Sequence, residues 1–289
     1  MYETRFERYI APARVRPQLW RFGAGVLLAT FVAFLTLQIV LGVLPPDQVN
    51  HFTDTKTPEG ALFLLYSFFA LILGVWVALW IFQKRGLRSV LGLETTPCFT
   101  VGASVAFALF AVDVFLMPGQ VSLTPNLAPG FWVRLLPLIV VGVLIQTFAE
   151  ELIFRGYFVQ CLAARFRSPW IWALLPSAAF GLGHYDPGLM GDMAWLYALS
   201  TAFFGLVAVD LTARTGNLGA AWGLHFTNNF IAFGVVAAEG DLSGLGLFTT
   251  PFNPADAALT EALLWRNLIY ILACWAVLRL ALSRMRLTG

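Results

Sequence analysis

Charge is scarce in this chain: Asp, Glu, Lys and Arg make up 12% of its 289 residues, against about 25% in a soluble domain. With 59% of the residues hydrophobic, that deficit excludes an ordinary water-facing surface. A chain of this length could hold one or two soluble domains, but the bilayer is the better ruler. Cysteine is scarce too. Cys98, Cys161 and Cys274 are scattered without paired spacing, a pattern of neither a disulfide framework nor a zinc knuckle, and each reads as a small apolar side chain. The net charge of +2, with no basic stripe interleaved with aromatics, gives no footprint for nucleic acid. There is no internal repeat and no low-complexity stretch. The start does not read as a cleaved signal peptide: the first apolar run begins only after Trp20 and is too long for one.

What is present is a series of long apolar runs. Helices are predicted near 22–44, 60–83, 98–117, 132–163, 170–186, 193–213, 217–238 and 262–283, most near the roughly 20 residues a span needs. Leu44-Pro45-Pro46, Pro118-Gly119, Ser168-Pro169 and Thr215-Gly216-Asn217 punctuate them. The expected fold is all-α, a polytopic membrane protein with about eight transmembrane helices and both termini cytoplasmic. Residues 1–21 form a cytoplasmic segment and 22–289 the membrane domain. The loops near 45–59, 118–131 and 239–261 are too short and too rich in Gly and Pro to fold alone.

Charge orients this arrangement. With the N-terminus inside, all 18 basic residues except Lys56, Arg134 and Arg266 fall on the cytoplasmic side. Asp47, Asp54, Glu59, Asp186, Asp192, Glu239, Asp241, Asp256 and Glu261 collect in the outer loops. That asymmetry follows the positive-inside rule, and a miscount by one helix would scramble it. Trp20, Trp132, Trp170, Trp172, Trp195 and Trp265 sit at predicted helix ends, as an aromatic belt does. The expected location is the plasma or inner membrane, with the lipid bilayer itself as one partner.

Three polar clusters interrupt the apolar runs, where ionisable groups are costly and usually functional. In Glu150-Glu151-Leu152-Ile153-Phe154-Arg155, Glu151 and Arg155 are i and i+4 and can pair on one face. Glu150 points about 100° away, without a local partner, which suits a general base or acid. Phe180-Gly181-Leu182-Gly183-His184 sets a histidine behind glycines that permit close helix approach. His225-Phe226-Thr227-Asn228-Asn229 puts His225 and Asn229 on one face, just after Gly219 and Gly223 in a G-x-x-x-G spacing. At 1.5 Å per residue, Glu150 lies roughly 22 Å from Arg165, His184 roughly 21 Å from Trp170 and Asn229 roughly 18 Å from Asn217, so the three clusters can share one cavity. Asp210 and Arg214 read as a structural pair, Asp113 as reaching the interface and Asn228 as interhelical glue.

Taken in order, Glu150-Glu151 to Arg155, Phe180 to His184 and His225 to Asn229 resemble the E-E-x-x-x-R, F-x-x-x-H and H-x-x-x-N pattern of the CPBP family, the CAAX proteases and bacteriocin-processing enzymes also called the Abi group. The resemblance covers about residues 130–235. It implies an intramembrane endopeptidase acting on a peptide or protein substrate at the membrane; in its prenyl-protein branch such an enzyme removes the last three residues of a lipidated CAAX terminus. By that analogy Glu150 and His184 activate a water, His225 and Asn229 stabilise the oxyanion, and Glu151 and Arg155 support the helix geometry. Glu150, His184 and His225 are also a plausible zinc set. Metal-free chemistry is favoured because no H-E-x-x-H presets two ligands on one helix. Two alternatives are a non-catalytic scaffold that regulates a partner protein, expected to have lost part of the Glu/His/His set, and an ion- or proton-coupled transporter, expected to show duplicated halves.

Overall fold

In a bilayer every backbone polar group must be satisfied within the protein, which leaves the helix as the answer for long apolar runs. The computed structural model describes residues 2–116, 122–240, 242–250 and 257–285. The expected break at Pro118-Gly119, and the loop or terminal charges Asp241, Asp256 and Arg286, lie outside the described residues.

The chain opens with a helix within the expected cytoplasmic segment. Helix α1 (Tyr2–Arg14) is amphipathic: Phe6, Tyr9, Ile10 and Ala13 are buried against Val159, Ala163, Val209, Ala213 and Leu218, at the i, i+3, i+4, i+7 spacing of a core-facing stripe. Then follow α2 (Leu19–Val43), α3 (Pro58–Gln83), α4 (Thr95–Leu116), α5 (Pro129–Arg165), α6 (Trp170–Leu182), α7 (Ala194–Thr215), α8 (Gly219–Asn229) and α9 (Ala257–Arg284). Local chemistry sets several boundaries. Thr57 caps α3 by accepting from the Gly60 amide at 3.1 Å, and Gly216, at φ 69°, ends α7 with its N–H on the Thr212 carbonyl.

Each of the eight apolar runs forms helix over most of its length. Among the described residues six helices are long and apolar enough to cross a membrane: α2, α3, α4, α5, the Pro187–Thr215 segment containing α7, and α9. Helices α6 and α8 fall short. For α8 the reason is its surroundings: Gly219, Ala220, Ala221, Gly223, Leu224, His225, Phe226 and Thr227 are buried, so the helix packs in protein and tolerates polar residues that shorten its apolar run. A Cβ on Gly223 would overlap the Phe99 carbonyl of α4, which is the close packing expected from the G-x-x-x-G spacing.

Between α4 and α5, and again between α8 and α9, the chain forms strands too short to read from sequence. β1 (Thr124–Pro125), β2 (Val236–Ala238) and β3 (Phe248–Thr250) make a sheet in the order β1-β3-β2, antiparallel for the first pair and parallel for the second. Asp210 and Arg214 pair as expected, at 2.8 Å. Asp113 does not simply reach the interface: it pairs with Arg266 of α9 at 2.6 Å, which accounts for one basic residue on the expected outer side.

Candidate active site

Helix α5 delivers two adjacent carboxylates and then changes form. Immediately after Glu151 the backbone winds as a π-helix over Leu152–Phe158, and α8 does the same over Phe230–Val235 immediately after Asn229. Such wide turns recur at functional sites because they re-aim the side chains beside them. Trp132 ties the second one to α5 by donating from its indole N–H to the Gly234 carbonyl at 2.6 Å.

Glu150, expected to have no partner on its own helix, meets a side chain of another helix. His225 stands between both carboxylates: its Nδ1 lies 2.8 Å from Glu151 Oε1 and its Nε2 lies 3.4 Å from Glu150 Oε2. Two neighbouring residues that diverge on their own helix can reach one ring from its opposite nitrogens. Glu151 and Arg155 pair as expected, Nη1 to Oε1 at 3.1 Å, fully buried. Arg155 also stacks over Phe180, 4.3 Å from the ring centroid, so its guanidinium is held against an aromatic face rather than in water. Glu151 Oε2 and Glu150 Oε2 accept no hydrogen bond among the described residues.

His184 Nδ1 is 2.8 Å from the Phe180 carbonyl. A carbonyl can only accept, so Nδ1 carries the proton and Nε2 of the neutral ring is left as a lone pair. The same logic holds for His225, whose Nδ1 gives its proton to the Glu151 carboxylate. Asn229 Nδ2 is 3.3 Å from His225 Nε2 and donates to Gln146 Oε1 at 2.9 Å, while its Oδ1 accepts from Asn228 at 3.1 Å. Asn228, expected as interhelical glue, therefore orients Asn229.

Glu150, His184, His225 and Asn229 line one cavity of about 290 Å³, together with Gln146, Tyr197, Ser200, Thr201 and Asn267. The three sequence clusters do meet. Gln146 was missed; its signal was a lone amide one helical turn before Glu150 in an otherwise apolar run. Tyr197, Ser200 and Thr201 carried no motif. A second cavity of about 400 Å³ adjoins the first through Asn228 and Asn267; its walls are mostly apolar and hold the Asp113–Arg266 pair.

Residues 132–231, which contain all three clusters, match the family model described as type II CAAX prenyl endopeptidase Rce1-like. Over that stretch the chain is similar to this family. A curated relative, the Bacillus subtilis (strain 168) protein named "Uncharacterized protein YyaK", is 27% identical over 290 residues, covering 92% of this chain and 95% of its own length. No solved structure matches the chain. Six apolar spans around an Rce1-like core make this a multi-pass integral membrane protein. Within that core, no three His, Cys, Asp or Glu side chains among the described residues are grouped closely enough to hold a metal ion. Glu150, His184 and His225 as placed form no such group; sensitivity to a chelator decides the zinc alternative.

Proposed function

We propose that the chain is a membrane-embedded endopeptidase of the CAAX-protease type, hydrolysing a peptide bond in a membrane-associated substrate with a water activated by Glu150. The observation that carries this reading is the Glu150 carboxylate itself. It lines the cavity with one oxygen accepting no hydrogen bond, beside three side chains that can hold a water and a carbonyl.

In this reading Glu150 takes a proton from water as the water oxygen attacks the scissile carbonyl carbon. The His184 Nε2 lone pair accepts the second hydrogen of that water and orients it. The carbonyl oxygen becomes an oxyanion, met by the Asn229 amide N–H and by His225, which donates from Nε2 when protonated. Gln146 and Asn228 hold the Asn229 amide in place before substrate arrives, so little reorganisation is left for the reaction. Collapse of the intermediate breaks the C–N bond as Glu150 passes its proton to the leaving nitrogen. Glu151 holds the His225 ring and is itself neutralised by Arg155.

The experiment is cleavage of a pooled peptide and membrane-protein library by purified wild type and His184→Ala, with and without a strong chelator. Cleavage by wild type alone, unaffected by the chelator, supports this mechanism. Cleavage lost to the chelator and restored by zinc keeps the peptidase and replaces its mechanism. No cleavage by folded wild type moves the reading to a scaffold.

A further inference from the structure

We propose that the cleft between α1 and the connection from α3 to α4 binds a phosphate group, carried by a lipid headgroup or free in solution, through the guanidinium groups of Arg8 and Arg88 with Arg5 beside them. The cleft shares no lining residue with the Glu150 cavity, and its chemistry is the same whether or not the chain cleaves peptides.

The cleft encloses about 280 Å³. Arg5 and Arg8 are i and i+3 on α1 and so lie on one face. Arg88 begins the single helical turn Arg88–Leu91 between α3 and α4. Glu94 is the one carboxylate in the lining, against three arginines. Among the described residues neither Arg8 nor Arg88 has a hydrogen-bond or ion-pair partner, and both are exposed. Like charges gathered in one cleft repel, and a bound anion reverses that cost. The hydroxyls of the lining are already committed: Tyr9 donates to the Val90 and Arg155 carbonyls, Ser89 to Gly86 and Thr215 to Leu211. Recognition is left to guanidinium forks, which donate and never accept. That chemistry selects a ligand made of acceptors, and the fork matches phosphate oxygens in geometry as well as charge.

The backbone beneath the arginines is fixed in advance. A Cβ on Gly92 would overlap the Gly216 carbonyl, and one on Gly216 would press on the Arg5 carbonyl. Helix α1 therefore lies directly on the turn between α7 and α8, and that turn on the α3–α4 connection. Both glycines have positive φ, 80° and 69°, the region that glycine enters without strain, and the Leu218 N–H donates to the Leu91 carbonyl at 3.0 Å. The cleft thus stands where α3 and α7 end and α4 and α8 begin. The same end of the bundle carries Arg21 over Trp20, at 4.6 Å, and Lys84 over Trp80, at 5.6 Å, with both indoles exposed. Exposed tryptophan beside basic residues at helix ends marks the level of the lipid headgroups, and basic clusters next to a span attract anionic lipid. Lipid phosphate is one source at that level and dissolved phosphate is the other.

The test uses the full chain, purified in a maltoside detergent and stripped of lipid. It is titrated at fixed ionic strength with inorganic phosphate, with phosphatidylglycerol, and with diacylglycerol, which has the same chains and no phosphate. Binding is read as the rise in unfolding midpoint and, for the lipids, as mass retained in native mass spectrometry. Arg8→Gln, Arg88→Gln and the double variant are compared with Arg134→Gln, an exposed arginine outside the cleft. Saturable binding of phosphatidylglycerol but not diacylglycerol is expected, weakened about fivefold by each single variant and about 25-fold by the double, from roughly 1 kcal/mol per basic residue at an anionic surface, and unchanged in Arg134→Gln. That pattern supports a lipid phosphate as the ligand. The same pattern with inorganic phosphate but not with phosphatidylglycerol supports the soluble source. Binding of neither phosphate probe, equal binding of diacylglycerol, a double variant that binds as wild type does, or an equal loss in Arg134→Gln overturns the proposal. None of these readings needs cleavage, so a chain that cuts nothing but binds phosphate keeps this site while the peptidase reading fails.

Discussion

Arg155→Ala is the substitution whose cost the structure specifies most closely. Arg155 is 1% exposed and Glu151 is sealed completely, so removing the guanidinium leaves a carboxylate with no water and one remaining partner, His225 Nδ1. Breaking one side of a buried ion pair costs about 3–5 kcal/mol. Loss of the stack on Phe180 adds up to about 2 kcal/mol, and the hydrogen bond that Glu151 keeps with His225 Nδ1 offsets part of the sum. A net loss of about 3–5 kcal/mol is therefore expected, measured as unfolding free energy in detergent by denaturant titration. The double variant Glu151→Gln/Arg155→Met removes both charges at nearly constant volume and is expected to recover most of that loss. A single variant as stable as wild type, or a double variant no better than the single, would refute the claim that the pair is held in a dry interior.

Asn229→Ala is expected to lower kcat by about 10²–10³-fold with KM little changed, because an oxyanion donor acts mainly in the transition state; a KM effect alone would contradict its role. Gly223→Val forces a side chain onto the Phe99 carbonyl and is expected to prevent α4–α8 packing, read as loss of the folded, monodisperse protein in detergent. Tyr9→Phe removes the hydroxyl that ties α1 to the Val90 and Arg155 carbonyls. Burial holds that hydroxyl well above the usual phenol range, so it stays a donor at ordinary pH, and its loss is expected to cost about 1 kcal/mol of stability.

Much of the helical framework was legible because apolar length and terminal Pro, Gly and Trp are written locally. The ends of α2, α5 and α7 fall within a few residues of expectation for that reason. The spacing of His225 and Asn229 likewise announced a shared face. What sequence could not give is which helix that face meets. That Glu151 grips His225, 74 positions away, depends on how α5 and α8 pack, and nothing local encodes it. The same applies to Asp113 and Arg266, two charges that each looked misplaced until the fold brought them together. The amphipathic helix α1 is a different case, since its stripe of Phe6, Tyr9, Ile10 and Ala13 is plain in the sequence; the density of arginines drew it into the cytoplasmic tail. The sheet was illegible because strands of two or three residues carry no periodicity.

The most direct test of the account is Glu150→Gln, which keeps the size and polarity of the side chain while removing its ability to take a proton from water. Single-turnover cleavage of any substrate found for the wild type is expected to vanish in this variant, with substrate binding and unfolding free energy near wild type. Cleavage by Glu150→Gln at a rate close to wild type would contradict the assignment of Glu150 as the base and, with it, the proposed mechanism.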